Sequence, residues 1–283
     1  MSRTVYVNGD YLPEEDAKIS VFDRGFLMAD AVYEVTTVLG SKLLDFAAHM
    51  ARLKRSLSEL DMPAPCDEAA LLAIHRDLVT RNDLTEGMIY LQVSRGAADR
   101  DFGWGDMTPS LVLFTQAKSI VDSPLAKRGA AVISAPDLRW GRRDIKTVQL
   151  LYPSMMKMEA KSRGADDAWL IEDGFVTEGT SNNAWIVTAD GTLVTRNLGT
   201  EILHGITRAA VKRYAEAAQI KVEERPFTLD EAMSAREAFI TSASSFVTPV
   251  VKIDGAPVGT GAPGPAAARL RGIYIEESLK TAI

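Results

Sequence analysis

The stretch RRDIKTVQLLYPSMMKMEAK, residues 142–161, sets the question on which both fold and chemistry turn. Run forward from Thr147, it has the spacing of an amphipathic helix, with Val148, Leu151, Met155 and Met158 near one face. Lys146 then stands at the helix entrance, where the backbone dipole disfavours a cation. Read locally, it is a solvated lysine. The sharper reading is an amine made reactive by its surroundings.

Outward from this stretch, the C-terminal part reads as strands AAVISA (130–135) and DAWLIE (167–172), with the lysine helix between them. The Gly/Ser/Asn-rich segment DGFVTEGTSNN (173–183) reads as a turn holding Glu178. Strands AWIVTA and TLVT, a helix over 207–220, a short helix near 229–236, strand EAFITSA and a terminal helix complete it. The N-terminal part opens with TVYVNGDYL, a strand–Asn-Gly–strand hairpin, and AVYEVTTVLGSKLLDF repeats the pattern. A helix follows with Phe46, Met50, Leu53, Leu57 and Leu60 on one face, then a second opened by Asp67. Strands MIYLQVSR and SLVLFTQ flank the loop GAADRDFGWGDMTP. The polar segment from Lys118 marks a linker, so the expected domains are 1–117 and 127–283, joined by 118–126. The first is α+β with a largely antiparallel sheet.

The chain has 283 residues, 46% of them hydrophobic and 25% charged, which is the composition of a soluble globular protein. A net charge of −6 gives no electrostatic reason to expect nucleic acid or an anionic membrane. No apolar run reaches membrane-spanning length and no leader pattern is present, so a cytoplasmic location is the default expectation. Cys66 is the one cysteine, and His49, His75 and His204 lack metal-ligand spacing, so no metal is expected. Gly259, Gly261 and Gly264 spell G-x-G-x-x-G, but the chain after them has no room for the second strand of a dinucleotide site. Pro263 and Pro265 suit a turn better.

Four segments read as parts of one site. HGITRAAV places Gly205, Ile206 and Thr207 at a helix N-terminus, where free N–H groups suit a phosphate; read alone, Thr207 is an ordinary cap. ITSASSFVTP ends a strand in Ser242, Ser244 and Ser245. Glu178 is a lone carboxylate, and Arg52 lies off the apolar stripe of its helix. A reactive lysine, a phosphate cup, a carboxylate and a spare arginine together fit pyridoxal phosphate.

With these segments in hand, the sequence resembles the D-amino-acid transaminases within the fold-type IV, branched-chain-aminotransferase-like group. The motifs DRGFLMADAVYEV, HMARL, RRDIKTVQLL, VTEGTSNN, LHGITR and ITSASSFVTPV carry the resemblance across nearly the whole chain. It implies a two-domain α+β fold whose larger C-terminal domain holds a barrel-like sheet. It also implies that Lys146 joins pyridoxal 5′-phosphate as a Schiff base, with Glu178 at the pyridine nitrogen. A carboxylate about 4 Å from that nitrogen is worth roughly 4 kcal/mol to its protonated form. Arg52, Ile206, Thr207, Ser242, Ala243 and Ser244 match the phosphate site, and Ser181 and Leu203 match further cofactor contacts. Ala243 stands where a threonine is common, which removes one hydroxyl.

Substrate choice rests, in that family, on an early-strand tyrosine and on an arginine and histidine on a loop from the partner subunit. Tyr33 and Arg100 match the first two, while the histidine position holds Phe102. Losing that donor should remove about 1.5–3 kcal/mol of carboxylate binding. The expectation is a homodimeric D-amino-acid transaminase acting on amino acids and 2-oxo acids, tolerant of (R)-amines. A branched-chain L-amino acid or (R)-amine transaminase and an aminodeoxychorismate lyase share many of the same motifs and stand as alternatives, ahead of a non-enzymatic or dinucleotide-binding protein.

Overall fold

The structure is a computed structural model that describes residues 2–283. They form two compact units. One comprises the chain through Ser119 with the segments Ile145–Gln149 and Thr281–Ile283; the other comprises Ile120–Asp144 and Leu150–Lys280. A single division at 118–126 leaves out the return at Ile145–Gln149, which brings Lys146 into the first unit. No shift in composition announces it.

In the first unit, β1 (Thr4–Val7) and β2 (Asp10–Pro13) make the hairpin announced by Asn8 and Gly9, which take φ values of 50° and 114°. The chain continues through α1 (Arg24–Met28), β3 (Ala31–Leu39), β4 (Lys42–Leu43), α2 (Phe46–Glu59), α3 (Glu68–Arg81), β5 (Glu86–Ser94) and β6 (Ser110–Ala117). The strands pair antiparallel in the order β2-β1-β6-β5-β3-β4. Helix α2 buries Phe46, Met50, Leu53 and Leu57, as their spacing predicts. The Asp67 carboxylate accepts from the Ala70 N–H to start α3.

The second unit contains α4 (Pro124–Arg128), β7 (Ala130–Pro136), α5 (Leu151–Ser162), β8 (Asp167–Glu172), β9 (Phe175–Gly179), β10 (Asn183–Val187) and β11 (Leu193–Thr195). It continues with α6 (Ile206–Ala217), β12 (Val222–Glu224), α7 (Leu229–Met233), β13 (Glu237–Ser242), β14 (Phe246–Ile253), β15 (Ala256–Pro257) and α8 (Pro265–Thr281). The sheet runs β12-β11-β10-β13-β14-β7-β8-β9, with β15 on β14, and curls into a half-barrel. Trp169, Phe227, Val176, Ile186 and Val250 fill its core. This is a mixed α/β architecture with a curled sheet in the second unit, as the resemblance implied.

Two local expectations fail. Lys146 does not open a helix: residues 145–149 form an irregular segment beside β3 with one isolated bridge at Thr147, where Tyr33 N–H donates to the Lys146 carbonyl (2.9 Å) and Val148 N–H to that of Ala31 (3.1 Å). The helix begins at Leu151, because Pro153 fits only in a first turn; a helix from Thr147 would put it inside and remove a backbone bond. The phase changes with the start. Tyr152, Met156 and Ala160 face the sheet residues Ile133, Ala168 and Leu170, while Leu151, Met155 and Met158 are 76%, 53% and 62% exposed. Glu178 likewise lies on strand β9 instead of in a turn, since the segment reverses twice, at Asp173-Gly174 and again after Gly179, with β9 between the two reversals.

The G-x-G-x-x-G letters form a turn, in which Gly259 and Gly261 take φ values of 53° and 73°. A Cβ at Gly264 would collide with the Glu237 carboxylate, which accepts from the N–H groups of Ala266 and Ala267 (3.1 Å each). The start of α8 therefore carries the chain's own anion, where a phosphate would otherwise go.

Candidate active site

In the first unit the return of residues 145–149 sets Lys146 against β3. Its amine lies over the Tyr33 ring, 4.2 Å from the centroid. Tyr33 stacks on Tyr90 at 5.4 Å and Tyr90 on Phe114 at 4.9 Å, so an aromatic row across three strands fixes the ring below the amine. The structure thus brings together two residues that are far apart in sequence and that the motifs singled out separately.

Residues of β3 alternate in direction, and the face opposite Tyr33 carries Val32, Glu34 and Thr36, all fully buried. Glu34 accepts from Arg52 through Nε (2.8 Å) and Nη2 (2.7 Å), and its carboxylate lies 2.7 Å from His49 Nδ1. Burial alone would raise the carboxyl's pKa; Arg52 and His49 outweigh it and hold Glu34 at about 2. The ionised Glu34 compensates and orients the Arg52 guanidinium. Sequence reasoning missed Glu34 and His49, although an acidic residue on the apolar face of a strand was a readable signal.

Arg100 lies 5.7 Å from the centroid of Phe102, whose ring is 79% exposed. The aromatic replacement therefore packs beside the arginine and offers it no hydrogen bond.

In the second unit, Glu178 is 3% exposed. One oxygen accepts from Arg139 Nη1 (2.6 Å), and the other from Asn183 Nδ2 (2.9 Å) and the Leu203 N–H (3.1 Å). Burial pushes the carboxyl's pKa up; Arg139 opposes this without cancelling it. Arg139 is itself held by Asp137, at 2.7 Å. An ionised carboxylate has about four lone-pair sites, and this chain's donors occupy three, so Glu178 fits the role of acceptor for a protonated ring nitrogen. Neither Arg139 nor Asn183 was identified from sequence.

Helix α6 opens at Gly205, with Ile206 and Thr207 as its first residues and no side-chain cap. A Cβ at Gly205 would collide with the Asn183 amide oxygen, so the glycine keeps that amide in place for Glu178. The cap is Gly205, and Thr207 is a buried residue of the first turn. At the end of β13, the Ser242 hydroxyl bonds to that of Ser245 (2.7 Å), with Ala243 and Ser244 in the turn between them. Ser181 is exposed in the turn after β9, and the Leu203 backbone serves Glu178 and Asn183.

A lysine on an aromatic platform and a buried, donor-rich carboxylate are what amine chemistry on an aromatic cofactor needs. The family model for class IV aminotransferases matches residues 31–253, and the chain belongs to that family. Class IV aminotransferases work with pyridoxal 5′-phosphate. The chain is 38% identical to the D-alanine aminotransferase of Bacillus licheniformis, over 92% of each chain. It is 34% identical to that of Staphylococcus aureus strain MSSA476, over 94% of this chain and 95% of the relative. Among solved structures, a T.th. branched-chain amino acid aminotransferase with pyridoxamine 5′-phosphate aligns at TM-score 0.87 and 27% identity, over 98% of this chain and 94% of that one. The branched-chain aminotransferase of Thermoproteus uzoniensis shares the fold at TM-score 0.90 and 24% identity, over 99% and 96%.

Proposed function

We propose that this chain is a transaminase that moves the amino group between a D-amino acid, such as D-alanine or D-glutamate, and a 2-oxo acid. The observation that carries the reading is the Lys146 amine over the Tyr33 ring. It puts the nucleophile beside the residue expected to hold the substrate's α-carboxylate. The similarity to two D-alanine aminotransferases over more than nine-tenths of the chain supports the choice of substrate.

When bound, pyridoxal phosphate supplies an electron sink for the pair released at the substrate's Cα. Lys146 would hold the cofactor and then, freed by the substrate amine, take the Cα proton as general base. Glu178, anchored by Arg139, Asn183 and the Leu203 N–H, would face the ring nitrogen and favour its protonated form. Arg52, Ile206, Thr207, Ser242, Ala243 and Ser244 would hold the phosphate, with Ser181 and Leu203 as further contacts. Tyr33 and Arg100 would orient the α-carboxylate, Arg100 through two parallel hydrogen bonds. We place the enzyme in the cytoplasm as a homodimer in which the Arg100 loop serves the partner's site. The apolar stripe Leu151, Met155 and Met158 supports a subunit contact.

The test is the visible spectrum of the holoenzyme, titrated separately with D-alanine and L-leucine. Loss of the cofactor's lysine-bound band with D-alanine alone is expected. Loss with L-leucine alone would move the chain to branched-chain substrates, the second reading favoured by the likeness to the T.th. branched-chain enzyme.

A further inference from the structure

Arg24 lies outside every motif role assigned above, yet it is among the most buried cations of the first unit, its side chain 5% exposed. Its Nε donates to Asp30 at 2.8 Å. Its Nη1 donates to the Asp101 carbonyl (2.6 Å) and the Gly103 carbonyl (3.3 Å), and its Nη2 to that of Phe102 (3.5 Å). One guanidinium therefore gathers three consecutive carbonyls at the tip of the loop that bears Arg100 and Phe102. Only a planar fork with five donors can do this; an ammonium cannot span the set.

The rest of the segment reinforces the clamp. The Arg24 N–H donates to Gly96 (2.8 Å) and the Ala98 N–H to Phe22 (3.3 Å), so residues 22–24 also hold the near limb of the loop. Arg95 shares Asp30 through Nε at 2.8 Å and reaches back to the Leu60 and Asp61 carbonyls. The Trp104 ring covers both cations, 4.1 Å from Arg95 and 5.5 Å from Arg24. Two arginines on one carboxylate and under one indole are a costly arrangement for a loop with no task. Here the loop carries Arg100, the residue proposed above to meet the substrate's α-carboxylate.

We infer that Arg24 is a positioning residue for substrate recognition: with Asp30, Arg95 and Trp104 it fixes the 101–103 backbone and so sets where Arg100 presents its guanidinium to the substrate's α-carboxylate. The inference rests on the carboxylate role proposed for Arg100, and the experiment separates the two. Holoenzymes of the parent, Arg24→Lys, Arg100→Ala and the double variant are assayed for kcat and KM with D-alanine. Arg24→Lys keeps a cation for Asp30 and loses the fork. It should raise KM about tenfold with kcat within about twofold and the cofactor band unchanged. In the double variant KM should equal that of Arg100→Ala alone, because no arginine remains to be placed.

Multiplied effects in the double variant, or an unchanged KM in Arg24→Lys, would overturn the inference. An unchanged KM in Arg100→Ala would overturn the carboxylate reading beneath it. If Arg24→Lys does not fold, Trp104→Leu removes the ring from an exposed position and should raise KM about threefold. No rise there also overturns the clamp.

Discussion

At single positions, chemistry and placement can be separated by substitution. Lys146→Ala should abolish transamination, a loss of at least about a thousandfold in kcat, with the cofactor held only non-covalently. Absorbance after gel filtration and a coupled keto-acid assay read both effects. Phe102→His restores a donor beside Arg100 and should lower KM for D-alanine by about ten- to a hundredfold; an unchanged KM removes Phe102 from the site. Lys146, Glu178 and Arg52 were singled out from the motifs DIK, VTEG and HMARL, each a short local signal. Their partners were not. Arg139, Asn183 and Glu34 act through tertiary contacts at sequence separations of 39, 5 and 18 from the groups they serve, and no local spacing encodes those contacts.

Among the elements, the hairpin at Asn8-Gly9 and helices α2 and α3 followed from turn chemistry, periodicity and an Asp67 cap, because each is stabilised locally. The lysine segment did not. Its Leu/Met spacing fits a helix, but the open edge of β3 offers backbone partners to residues 145–149, and Pro153 delays the helix to Leu151. That proline was a visible start signal. The displaced phase leaves an apolar stripe outward, so Met155→Glu with Met158→Glu should keep the circular dichroism of the parent and shift sedimentation from dimer towards monomer. Exposed positions within one chain cost only about 0.5 kcal/mol on substitution. Loss of folded signal instead would place these side chains in the chain's own core.

For the molecule as a whole, the Glu34–Arg52 pair ties the fold to pH. The carboxyl's pKa falls from 4.5 to about 2 on folding, a lowering whose stabilisation of about 3 kcal/mol is fully present above pH 4.5 and lost as pH drops towards 2. Urea unfolding from pH 6 to 2 should show this extra acid sensitivity in the parent. Glu34→Gln should be less stable at pH 6 by roughly 3–5 kcal/mol, because the buried Arg52 loses this carboxylate, and the difference should shrink as pH falls.

The excursion of residues 145–149 also has a consequence for biogenesis. Until ribosomal synthesis passes Val148, the edge of β3 at Ala31–Tyr33 lacks the backbone partners it has in the finished fold. At about 5–20 residues per second the nascent chain carries that unpaired edge for on the order of ten seconds. An unpaired edge invites foreign strands. The segment that carries Lys146 is therefore also the one that closes this edge, and its arrival ends that strand's exposure to foreign pairing while most of the second unit is still to be made.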